Sequence, residues 1–149
     1  MNRKQMQLEV CKALLDSSRR LYGTEINEKE FAVTTTGFDA FIFDKAECIF
    51  DPGQIKRLDT LSEIFKDHDG DVKITETGKM FCDSSRTFKE YKGENLTIYV
   101  DVKFANKYKN LTFYAYHPLQ RILVKDVLGC KIGAFLPVRF TKKDIEGKF

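Results

Sequence analysis

Apolar residues recur at helical spacing from Arg3 to about Tyr22. Leu8, Cys11 and Leu15 form a stripe with Val10, Leu14 and Leu21 beside it, while Arg3, Lys4, Lys12, Arg19 and Arg20 fall mostly off it. The pattern predicts an amphipathic helix with one buried face, stopped near Gly23. Its apolar face carries no Trp or Phe anchor, which favours packing on a core over adsorption to a membrane. The period then changes to two. Phe31 to Thr35 and Phe38 to Phe43 are β-prone runs on either side of Thr36-Gly37, a hairpin pattern, and the second run is the more apolar and more central. Cys48 to Phe50 reads as a further short strand. Asp51 and Pro52 suit the cap and first position of a helix. Ile55, Leu58, Leu61, Ile64 and Phe65 carry helical spacing with one break near Asp59, up to a polar turn at Asp67 to Gly70.

The second half reads as strands with one helical interruption. Val72 to Ile74 form one strand, and Gly78 turns the chain toward Met80 to Cys82. Arg86 to Tyr91 and Leu96 to Val100 flank a turn at Lys92-Gly93-Glu94. Asp101 caps a short helix running to Tyr108, with Val102, Ala105 and Tyr108 or Phe104 facing inward. Three β-type runs follow, Leu111 to Leu119, Arg121 to Asp126 and Gly133 to Arg139, separated by His117-Pro118 and by Val127 to Cys130. The fold class expected is α+β: an antiparallel sheet, with the N-terminal amphipathic helix and one or two further helices on one face. One domain is expected over residues 1–149. Within it lie an N-terminal helix and linker (1–30), a hairpin plus helix (31–65), a β-rich part (71–140) and a polar tail (141–149). No internal repeat or low-complexity stretch interrupts it.

Composition supports a packed chain. Hydrophobic residues at 42% and charged residues at 32% fit a globular domain, not a disordered one. Thirteen Phe and six Tyr suit a sheet-rich core. The net charge of +3 is spread along the chain, so no element carries the basic stripe of a dedicated duplex binder. Lys103, Lys107 and Lys109 come closest and are the candidates for weak nucleic-acid contact; as a bland alternative they form a solvated face. Cys11, Cys48, Cys82 and Cys130 are widely spaced, and no apolar segment follows the polar start. Both features predict a reducing cytosol, without a signal peptide or a membrane anchor. No apolar run nears the roughly 20 residues of a membrane span.

Asp67, Asp69, Gly70 and Glu76 would occupy positions 3, 5, 6 and 12 of a calcium loop, but position 1 would be Phe65, which offers no oxygen. Thr77-Gly78-Lys79-Met80 resembles the end of a phosphate loop, yet the earlier Gly falls at Lys73 and no Ser or Thr follows the Lys. His68 and His117 are the only histidines, and a Cys130–His117 nucleophile pair lies in no catalytic motif. Phe113, Tyr114 and Tyr116 could offer a stacking platform, but strand alternation sends one of the two sets into the core. The expectation is therefore a non-enzyme, with no catalytic residue, no metal ligand and no cofactor.

Residues 94–139 carry a further pattern: Glu94 to Phe104, then Leu111-Thr-Phe113, His117-Pro-Leu119, Ile122-Leu-Val124 and Phe135-Leu-Pro-Val-Arg139. In order and approximate spacing this resembles the last domain of bacterial DNA polymerase III sliding clamps, across about a third of the chain. The resemblance implies a single clamp-like α+β domain, non-catalytic and binding proteins in DNA replication or repair. It implies a partner-peptide surface at Asp101, Phe104, Ile122, Leu136, Pro137, Val138 and Arg139. Asp101 stands where the clamp pattern has Asn, and the chain runs ten residues past Arg139. Short proteins of phages and mobile elements with a clamp-like end look similar. They imply a phage-encoded protein in the bacterial host cytosol, or alternatively an inhibitor of a host defence or replication factor. A protein partner is expected, with weak or no nucleic acid, no membrane, and self-association left open by unpaired sheet edges.

Overall fold

The computed structural model describes residues 3–16, 20–83 and 85–139. It is a mixed α and β fold. Among the described residues there are ten strands, two α-helices and three short 3-10 segments. The chain divides into two compact units, one of residues 1–66 and 131–134, the other of residues 67–130 and 135–149.

The first unit holds α1 (Arg3–Leu15), β1 (Tyr22–Glu25), β2 (Glu30–Thr34), β3 (Asp39–Asp44) and β4 (Lys56–Arg57). Its strand order is β4-β1-β2-β3, with β10 (Lys131–Phe135) beside β3. Phe31 to Thr34 and Asp39 to Phe43 are buried without alternation, the mark of central strands covered on both faces. The expected hairpin is present: Thr36 donates its hydroxyl proton to Asp39 Oδ1 at 2.7 Å, and Gly37 takes φ +79°. Gln7 on α1 donates to Glu47 O and accepts from Ile49 N, latching the helix to the loop after β3.

Four expectations for this unit are corrected. The first helix ends at Leu15, not near Tyr22, and buries Met6, Val10 and Ala13, leaving Leu8 and Leu15 exposed. Asp16-Ser17-Ser18 are weak helix formers, and Tyr22 to Glu25 pair with β2 instead. Gly23 is not a helix stop. A Cβ there would lie 2.6 Å from the Phe31 ring and 2.9 Å from Ala32 O, so the close strand approach requires Gly. The helix expected over Asp51 to Phe65 is two 3-10 segments, Pro52–Gln54 and Asp59–Phe65, separated by β4. Asp51 caps as anticipated, accepting from Gly53 N, but Lys56 and Arg57 pair with β1 and interrupt the helix. Cys48 to Phe50 form no strand; Phe50 packs edge-on against Phe43.

In the second unit lie β5 (Val72–Cys82), β6 (Thr87–Gly93), β7 (Leu96–Asp101), α2 (Val102–Lys107), β8 (Thr112–Ala115) and β9 (Ile122–Lys125), in the strand order β9-β8-β5-β6-β7. The pairings β9–β8, β8–β5, β5–β6 and β6–β7 are all antiparallel. Asp101 caps α2 as expected, its Oδ1 accepting from Lys103 N at 2.9 Å. Gly78 does not separate two strands. Its φ of +90° accommodates a bulge between Glu76 and Met80 inside one long β5. The last strand ends at Phe135; Leu136 to Arg139 run on outside the ladder, since Pro137 has no N–H to donate. Val138 N still reaches Tyr99 O, at 2.8 Å. The tail from Thr141 lies outside the described residues.

Phe135 is the centre of this unit's core. Its ring stacks on Phe104 and Tyr108, with centroids 5.2 and 5.6 Å away, and meets Phe113 edge-on at 5.2 Å. Phe135→Ala is expected to cost about 3–5 kcal/mol, because the cavity would be lined by rings that cannot collapse into it. Leu136→Ala, at an exposed neighbour, should stay within about 0.5 kcal/mol. Equilibrium unfolding in urea measures both.

Candidate binding cleft

β5 is longer than the strand beside it. Among the described residues it pairs with β8 only from Val72 to Ile74, yet continues against β6 as far as Cys82. The reason lies in how β8 begins. α2 closes with Tyr108 N bonded to Phe104 O and Lys109 N to Asn106 O, and Asn110 at φ +67° reverses the chain into Thr112. The helix end therefore occupies the line that β8 would otherwise extend along. Between this turn and the free side of β5 opens a cleft of about 520 Å³. Ile74, Tyr91 and Phe113 give it an apolar base, and Lys73, Glu76, Lys89, Asn106, Lys109 and Asn110 also line it.

Electrostatically the cleft is positive. Lys89 Nζ lies 3.2 Å from Glu76 Oε1, so the one lining carboxylate is engaged by one of three lining lysines. Burial, reinforced by the Glu76 charge, pushes the Tyr91 phenol up to about 12. It is thus a protonated hydrogen-bond donor at neutral pH.

A polar cluster anchors the turn that leads into β5. Arg121 Nη1 and Nη2 donate to the two oxygens of Asp71 at 2.7 and 2.9 Å, and both side chains are largely buried. Tyr116 stacks on His68 with centroids 3.8 Å apart, and the Arg121 guanidinium lies 5.0 Å from the same ring. Burial alone would raise the Asp71 carboxyl; the Arg121 hydrogen bonds, the His68 backbone N–H and the nearby positive charge outweigh it and hold it below the usual range. The sequence separates Asp71 and Arg121 by fifty positions, and neither falls in a motif. Only the meeting of the turn before β5 with the start of β9 reveals the pair.

The residues expected to form a partner surface are dispersed in role. Phe104, Ile122 and Val138 are core side chains, and Pro137 is buried as well. Asp101 is spent on the cap of α2. Leu136 and Arg139 are exposed; Arg139 Nη2 donates to Leu119 O, and its own carbonyl accepts from Arg86 Nη2. Of the candidate nucleic-acid contacts, Lys109 lines the cleft, the Lys103 ammonium lies 5.1 Å from the Phe104 ring centre, and Lys107 is half-buried. His117 Nδ1 accepts from Leu119 N, while Cys130 N donates to Asp126 Oδ1, so each serves its own turn. Asp67 lies 3.8 Å from Lys125 Nζ. Among the described residues no three His, Cys, Asp or Glu side chains gather as a metal site, and no helix is long and apolar enough to cross a membrane.

The first unit has a smaller cleft of about 270 Å³, lined by Gly23, Glu25, Phe31, Ile55 and Arg57 among others. Comparison of the chain with protein-family models, curated proteins and solved structures returns no match.

Two pH effects follow. A depressed Asp71 contributes stability that is present above the unfolded carboxylate value of about 3.9 and is lost as pH falls through the folded value. Arg121→Ala should cost about 3–5 kcal/mol at neutral pH and flatten the acid limb of a stability–pH profile measured by urea unfolding. For Tyr91 the sign is opposite. Its contribution holds below the unfolded phenol value of about 10 and is lost as pH rises toward about 12. Burial and the Glu90 carboxylate raise Tyr99 as well, so difference absorbance at 295 nm should show a lagging phase to which both contribute, and Tyr91→Phe should reduce that phase by one tyrosine.

Proposed function

We propose that this protein is a non-catalytic, clamp-like binding module that acts through protein–protein contacts in DNA replication or repair. The observation that carries the reading is the cleft where β5 outruns β8. A strand with one free side, next to an apolar base and a polar rim, offers an incoming chain both main-chain and side-chain partners. The replication or repair setting rests on the likeness of residues 94–139 to the clamp domain. The partner surface is assigned to the cleft because Phe104, Ile122 and Val138 are already spent in the core.

Asn106 is exposed on α2 and lines the cleft, so Asn106→Trp plugs it without touching the core. Tagged wild-type protein is expected to retain a replication or repair protein from a lysate of the cells that express it. Asn106→Trp, with an unchanged melting temperature, should lose it. Recovery of no such factor, together with no retention on DNA-cellulose at low salt, would sink the replication reading. Single Ala substitutions at His117 and Cys130 should leave retention intact.

A further inference from the structure

We propose that the cleft receives an extended, acidic segment of a protein partner, laid along the free side of β5 and neutralised by Lys73, Lys89 and Lys109. This rests on the docking role given to the cleft above. The first argument is charge. Three ammonium groups and one carboxylate line the cleft, and that carboxylate, Glu76, is engaged with Lys89. For Lys73 and Lys109 the described residues supply no carboxylate partner. An inserted anion therefore meets an excess of positive charge.

Shape supplies the second argument. Of the strand residues that line the cleft, Lys73 and Ile74 are paired with β8, so Thr75 and Glu76 offer the free side there, roughly 7 Å of extended backbone at the rise of a strand. From Thr75 onward β5 is paired with β6 alone among the described residues, so its other side holds main-chain groups that a strand can meet. A chain entering there adds as a strand and presents alternate side chains to the cleft. Asn106 and Asn110 bring side-chain amides that can donate N–H groups to an entering carboxylate.

The rings of the cleft decide against single-stranded nucleic acid. Tyr91, Tyr108 and Phe113 are 8%, 0% and 4% exposed. They are committed to each other and to Phe135, so no ring face is left on which a base could stack.

The test uses the whole chain and three pools of labelled decapeptides. Fixed positions carry Asp or Glu in one pool, Asn or Gln in the second and Lys in the third, with the remaining positions randomised. A labelled ten-nucleotide oligo-dT forms a fourth probe, and binding is read by fluorescence anisotropy. The acidic pool should bind best and weaken with added salt. It should also weaken by about tenfold in the double variant Lys73→Glu, Lys109→Glu, with a smaller loss in Lys73→Gln, Lys109→Gln. Lys12→Glu, a charge reversal on α1, should bind like wild type. Equal binding of the Asn/Gln pool, oligo-dT binding in place of peptide, or self-association that the double variant abolishes would each overturn the proposal. If Asn106→Trp removes partner retention but no acidic preference appears, the docking role stands and this inference alone falls. If no pool binds and Asn106→Trp changes nothing, both fall.

Discussion

Phe135 is stacked against Phe104 and Tyr108 from one side and meets Phe113 edge-on, and this four-ring cluster fixes where α2 lies over the strands of the second unit. Each ring brings a large apolar area, and the offset and edge-on geometries add the quadrupole attraction that face-to-face contact would lack. The cluster joins α2 and β8, which one short turn connects, to Phe135, which lies more than twenty positions farther along the chain. Because α2 is held at this place, its last turn lands where β8 must start, and β8 starts late. The cleft is the consequence: space left when a helix end takes the position of a strand extension. Core packing and candidate function are thus one constraint seen from two sides.

Polar groups complete what the rings begin. The cap at Asp101 starts α2, and Asn110 in the left-handed region ends the turn after it. The Arg121–Asp71 fork ties the turn before β5 to the start of β9. Such a pair contributes little over an apolar replacement, but half of it left alone is costly, so it specifies which segments meet more than how tightly. The bulge at Gly78 bends the far part of β5 and shifts its register on β6. Together these features hold a strand partly unpaired without disorganising the sheet around it.

Where periodicity and caps agree, the chain could be read directly. β2, β3, β6, β7 and α2 fall close to their expected positions, because each combines an apolar alternation or stripe with a local turn or cap. The errors share one cause. Asp51 to Phe65 has helical spacing and a proper cap, yet Lys56 and Arg57 are drawn into a strand beside β1. Tyr22 and Gly23 were expected to close the first helix, but they pair with Thr34 and Val33 of β2, where Phe31 and Ala32 leave room only for Gly at position 23. The expected partner surface had the same difficulty. Phe104, Ile122 and Val138 are apolar residues in a plausible order, and no local pattern tells a groove wall from a core wall.

By itself the sequence determined an α+β chain with a Phe- and Tyr-rich core, a capped short helix after a strand, and a small, scattered positive charge. These properties follow from side-chain volume, backbone preference and the count of ionisable groups, all local or additive. Tertiary structure alone decided that Lys73, Lys89 and Lys109 border one cleft and that Asp71 meets Arg121. It also decided that β5 runs on where β8 stops. Those outcomes depend on which rings surround Phe135 and on the register of strands far apart in the chain. Contacts of that kind are set by complementary packing between distant segments, which no window of neighbouring residues encodes.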